Sequence, residues 1–126
     1  MRRSLVLKIP RWFWLSMGAV WCLVVAYFSL LAPSQLPELL TAFRDFVLHF
    51  VAYLVGAFLL TMGSHSSRGP WKPALVIFTL GVLLEYLQPL VSPGRVFSYS
   101  DIGANLFGLI FGMLLALHFG KRIFEA

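Results

Sequence analysis

At 126 residues the chain has room for a single domain. Its 60% hydrophobic residues, 12% charged residues and mean hydropathy of +0.85 lie outside the soluble globular range, where about a quarter of the residues are charged. The formal charge of +5 does not indicate nucleic acid, because the basic residues are scattered between apolar runs and form no basic helix face.

Four apolar segments follow in chain order, each near the ~20 residues that a helix needs to cross a bilayer. The first, WFWLSMGAVWCLVVAYFSLLA, covers 12–32 and holds the lone cysteine, Cys22. One thiol in an apolar run makes no intrachain disulfide and no cysteine zinc site. The run is too long for the core of an ordinary signal peptide and no A-x-A site follows it, so the expectation is a retained anchor. The second segment, 46–63, is interrupted by His49. The third, 74–91, is interrupted by Glu85 and Gln88 and carries Pro89. The fourth, 102–119, has Asn105 near its start and His118 near its end. Short Pro/Gly/Ser connections join them. The expected fold is all-α, a polytopic membrane protein of four transmembrane helices forming one domain over 1–126.

The basic residues suggest an orientation. Arg2, Arg3, Lys8, Arg11, Arg68, Lys72, Lys121 and Arg122 fall at the termini and in the middle connection, against only Arg44 and Arg95 in the other two. By the positive-inside rule both termini are expected in the cytoplasm, with Trp12, Trp14 and Trp71 at the cytoplasmic interface of the membrane.

The polar residues then gather at one depth. Asp45 and His49 are four apart, as are Asp101 and Asn105, and Glu85 and Gln88 are three apart, so each pair shares a helix face. All six are expected near the outer ends of their helices. A carboxylate in lipid costs at least ~2.5–3.5 kcal/mol on insertion scales, so Glu85 should face the bundle and find a partner, with Arg95 and His49 the candidates. Pro89 has no N–H to offer the carbonyl of Glu85, which adds a second polar group to that turn. Asp101, Asn105, Gly108 and Gly112 lie on one face of the fourth helix. The G-x-x-x-G within it reads first as a helix-packing element. Asp45 and Asp101 also suit helix N-termini, and Tyr53, one turn after His49, reads as core.

These pieces, in this order and spacing, resemble the VanZ-like family of bacterial membrane proteins. The stretches DFVLHFVAYLVGAFLL and EYLQPLVSPGRVFSYSDIGANLFGLIFGMLL carry the resemblance, which spans about residues 29–116. Its motif positions fall here on Asp45, His49, Glu85, Gln88, Arg95, Asp101, Asn105, Gly108 and Gly112. One departure is Phe46, where the pattern has lysine; Arg44 is then the nearest cation to Asp45. The resemblance implies an accessory role in resistance to teicoplanin-type glycopeptides, with no established chemistry.

Two function classes follow. In the first, the protein binds an envelope ligand: an anionic lipid, a lipid-linked cell-wall precursor or a lipophilic glycopeptide, with Arg95 on the anionic group. In the second, it is a small intramembrane enzyme with Glu85 and His49 as acid–base pair. No cofactor is expected. No recognised metal-ligand spacing is present, and a divalent ion among Asp45, Glu85 and Asp101 belongs only to the enzyme reading. A homo-oligomer is compatible with either class. A proton-coupled carrier fits less well, because its polar groups would sit near the midplane.

Overall fold

The computed structural model describes residues 9–31, 45–64, 71–91 and 99–124, all of them helical apart from the ends of the first stretch. Helix α1 runs Arg11–Leu30, α2 Asp45–Ser64, α3 Trp71–Val91 and α4 Tyr99–Phe124. All four are long and apolar enough to cross a membrane, and the chain has the character of a multi-pass membrane protein.

The helix boundaries differ from the hydropathy reading in two places. Helix α3 begins at Trp71 rather than 74 because Pro73 falls in its first turn, where the missing N–H would have had no intrahelical partner anyway. Helix α4 begins at Tyr99 rather than 102 and continues to Phe124 rather than 119. Pro89 sits inside the last turn of α3 without ending it.

Helix α2 is the hub: it packs against all three other helices, and its interface with α4 is the most extensive. Contacts along the helices give the directions. Arg11, at the start of α1, donates from Nε to the carbonyl of Gly63 at 2.9 Å and from Nη2 to that of Ser64 at 2.6 Å. Trp21 Nε1, midway along α1, donates to the carbonyl of Ala52 at 2.7 Å. The two helices are therefore antiparallel. The Arg11 pair does local work as well, since the last carbonyls of a helix have no intrahelical donors and carry its negative dipole end.

Helices α2 and α4 run parallel, and glycine lets them touch backbone to backbone. A Cβ on Gly108 would collide with the carbonyl oxygen of Phe50, and one on Gly112 with that of Leu54. The face predicted from Gly108 and Gly112 is thus turned onto α2. Tyr53, Ala57, Ile77 and Leu109 form the central core at this junction.

The bundle is apolar outside and partly polar within. Leu23, Trp12, Leu83, Phe107 and Leu90 are among many large apolar side chains left exposed, Leu90 at 80%. The buried polar side chains among the described residues are Thr61, Glu85, Gln88 and Asn105. Burying polar groups while exposing leucines is unfavourable in water and favourable where the surroundings are hydrocarbon.

Candidate functional site

Three helix ends meet where the polar residues lie. Helices α2 and α4 both start here, and α3 ends here. His49 lies in the second turn of α2. Asp101 lies in the first turn of α4, where the positive end of the helix dipole favours a carboxylate. Asn105 follows one turn later. Glu85 is on α3, less than two turns before its end.

His49 is the centre of the arrangement. Its Nδ1 is 2.9 Å from Oδ1 of Asn105. An amide oxygen only accepts, so in this contact the ring donates from Nδ1. The other ring nitrogen, Nε2, faces Oδ2 of Asp101 at 3.6 Å. One ligand-capable atom each from His49, Glu85 and Asp101 lies within 4.8 Å of the other two. The three side chains come from three helices and meet in a volume the size of a single ion or water.

Burial grades across the site. Glu85 is 1% exposed and Asn105 2%. The His49 and Asp101 side chains keep 12% and 18% exposure, so Asp101 is the most exposed member of the cluster. The Tyr53 ring stacks on His49, with centroids 6.4 Å apart and planes 9° from parallel, and forms the floor. Nδ2 of Asn105 is buried with no hydrogen-bond partner. It lies 3.0 Å from where a Cβ on Gly81 would be, one turn before Glu85 on the same helix.

Of the residues singled out from sequence, His49, Glu85, Asp101 and Asn105 are brought together. Gln88 is buried at 2% exposure, one turn beyond Glu85 on the same face of α3. Asp45 is the first residue of α2, and its side chain is outside the described residues, as is the whole of Arg95. His118 is exposed near the other end of α4, away from the cluster. Tyr53, read as core, is core at 4% exposure, and it also stacks on His49 four residues before it. One contributor escaped the sequence reading. Gly81 stands four residues before Glu85, and only that spacing hints that the space over it holds the Asn105 amide.

Searches of family models, curated proteins and solved structures find no match to this chain. The VanZ-like resemblance therefore rests on the motif residues themselves.

Chemically, the arrangement offers an imidazole whose Nδ1 donates to an amide, a carboxyl group facing its second nitrogen, a second carboxyl group within 4.8 Å, and a spare amide donor. Such a set can hold a cation, a proton or an ordered water, or bind a polar head group presented at the end of the bundle.

Proposed function

We propose that the chain is a VanZ-like protein of the bacterial cytoplasmic membrane, with both termini in the cytoplasm. In this reading the His49–Glu85–Asp101–Asn105 site opens to the outer face and engages the head group of an envelope lipid or lipid-linked cell-wall precursor. An accessory role in tolerance of teicoplanin-type glycopeptides would follow. The observation that carries the reading is the convergence of Glu85, His49 and Asp101 from three helices inside a bundle with an apolar exterior. Intramembrane ionisable groups are costly and are generally kept for binding or transport of polar species.

Mass spectrometry of co-purified lipids tests it, comparing wild type with Asp101→Asn and Arg95→Ala. Selective loss of one lipid class in the variants is expected, and an unchanged lipid profile would count against head-group binding. Reporter fusions near residues 36 and 96 should be active outside the cytoplasm, and a fusion near 68 inactive; the reverse would move the site to the cytoplasmic face. The 4.8 Å limit between the ligand atoms of Glu85 and His49 also supports the second reading, an intramembrane enzyme using them as acid–base pair. Turnover of a lipid-linked precursor by purified protein, abolished in Glu85→Gln, would favour that reading over simple binding.

A further inference from the structure

We propose that His49, Glu85 and Asp101 form a site for one borderline divalent cation, Zn²⁺ or Mn²⁺, with Asn105 orienting the histidine. The inference goes beyond the head-group reading and does not depend on it.

Four observations carry it. The ligand atoms are already close to the spacing required. Around an ion with bonds of ~2.1 Å, neighbouring ligand atoms in a tetrahedron lie about 3.4 Å apart. Nε2 of His49 and Oδ2 of Asp101 are 3.6 Å apart. The set as a whole spans at most 4.8 Å, so a contraction of about 1 Å, within a side-chain adjustment, brings Glu85 in. The 3.6 Å separation is long for a hydrogen bond and ordinary for two ligands of one ion.

The second observation is the tautomer. Because Nδ1 donates to Asn105 Oδ1 at 2.9 Å, a neutral His49 presents its Nε2 lone pair toward Asp101 Oδ2, 3.6 Å away. Metal-bound histidines characteristically donate their other ring N–H to an oxygen in this way, which orients the ring and raises its basicity. Asn105 is 2% exposed, so little solvent competes for this bond.

The third is charge. With both carboxyl groups ionised and the imidazole neutral, as metal ligation requires, the three side chains carry −2 together, which a divalent ion matches. Two like charges at about 4.8 Å repel by about 3–4 kcal/mol at an effective dielectric of ~20, and a cation between them reverses the sign.

The fourth is the unpartnered Nδ2 of Asn105. Three protein ligands leave a fourth position open, as in catalytic zinc sites. The amide lies 3.0 Å from where a Cβ on Gly81 would be, one turn before Glu85, and leaves a buried donor unused beside the cluster. The donor set of one nitrogen and two carboxylate oxygens suits Zn²⁺ or Mn²⁺ better than Ca²⁺, which prefers oxygen ligands alone. Asp101 is the most exposed of the three.

The sequence reading placed an optional ion among Asp45, Glu85 and Asp101. The structure puts His49 in the cluster, and the side chain of Asp45 lies outside the described residues.

The test is metal content and affinity of the full chain purified in detergent, stripped with chelator and dialysed against Zn²⁺ or Mn²⁺ alone. One ion per chain is expected for one of the two metals, lost in His49→Ala and Asp101→Asn and kept in His118→Ala, which controls for adventitious histidine binding. Asn105→Leu should weaken binding about 10–100-fold without abolishing it. Co²⁺ should give visible absorption bands that change in His49→Ala, a readout that needs only partial loading. Less than a tenth of an equivalent in folded wild type would overturn the proposal, as would full stoichiometry surviving in His49→Ala. Wild-type stoichiometry decides the matter even where a variant does not fold. Lipid selectivity that persists in metal-free protein would leave the head-group reading standing while this one fails.

Discussion

Helix α2 meets all three of its neighbours through glycine, and its contacts with α4 and with α1 differ in kind. Toward α4, Cβ atoms on Gly108 and Gly112 would strike the carbonyls of Phe50 and Leu54. Toward α1, a Cβ on Gly18 would meet the Leu60 side chain, Cδ2 at 2.5 Å and Cγ at 3.1 Å, and one on Gly63 would meet the Leu15 side chain at 2.7 Å and its backbone nitrogen at 3.0 Å. A side chain can turn away; a helical carbonyl can move only if the helix moves. The α2–α4 contact is also the one that brings His49 to Asp101 and Asn105. The α1 contact holds a helix of which only 6% of the apolar window is buried in the chain. The glycine-to-carbonyl contacts lie where the polar site needs fixed geometry, and the Gly18 contact, away from it, rests on a side chain.

The largest effect is expected for Gly112→Ala or Gly108→Ala. Each must push two helix backbones apart, a cost of about 3 kcal/mol or more. Either variant should give little monodisperse protein, and any recovered should lack metal binding because His49 and Asn105 separate. Next comes Arg11→Ala, which leaves the carbonyls of Gly63 and Ser64 without their side-chain donors. Part of that pair is exposed, so a loss of about 1–2 kcal/mol in denaturant titration is expected, with the polar site intact. Trp21→Phe removes the 2.7 Å bond to Ala52 and should cost about 1 kcal/mol. The smallest effect is expected for Gly18→Ala, below about 1 kcal/mol in thermal unfolding, because Leu60 can change rotamer. If Gly18→Ala proved as damaging as Gly112→Ala, the distinction between backbone and side-chain contact would not be what separates the two interfaces.

The four helices were legible because each apolar run is near the length of a bilayer crossing and is bounded by polar or proline-rich residues. Their ends were less so. Hydropathy stops at Phe119, yet Lys121 and Arg122 are good helix formers and α4 runs on through them. Trp71 and Lys72 join α3 because Pro73 costs nothing in a first turn. For the site, spacing told which residues share a face, so Asp101 with Asn105 was readable as one unit. Rotation of one helix about its axis relative to another was not readable. That rotation is set by Gly108 and Gly112 on Phe50 and Leu54, and it decides that Asn105 meets Nδ1 of His49 and Asp101 meets Nε2. Tyr53 looked like any core aromatic for the same reason: its stacking on His49 follows from a rotamer, which residue spacing does not encode.

The hydrogen bond between His49 and Asn105 joins residues 56 apart in the chain, and that separation has a consequence for biogenesis. At about 5–20 residues per second, the ribosome needs roughly 3–11 s after making His49 before Asn105 exists. The α1–α2 hairpin can close during that interval, because Arg11 and Trp21 find their acceptors as soon as Ser64 is made. His49 must wait for the last helix. A nascent chain made only as far as α3 therefore lacks the partner of His49 Nδ1, and its polar site is incomplete until α4 is in place.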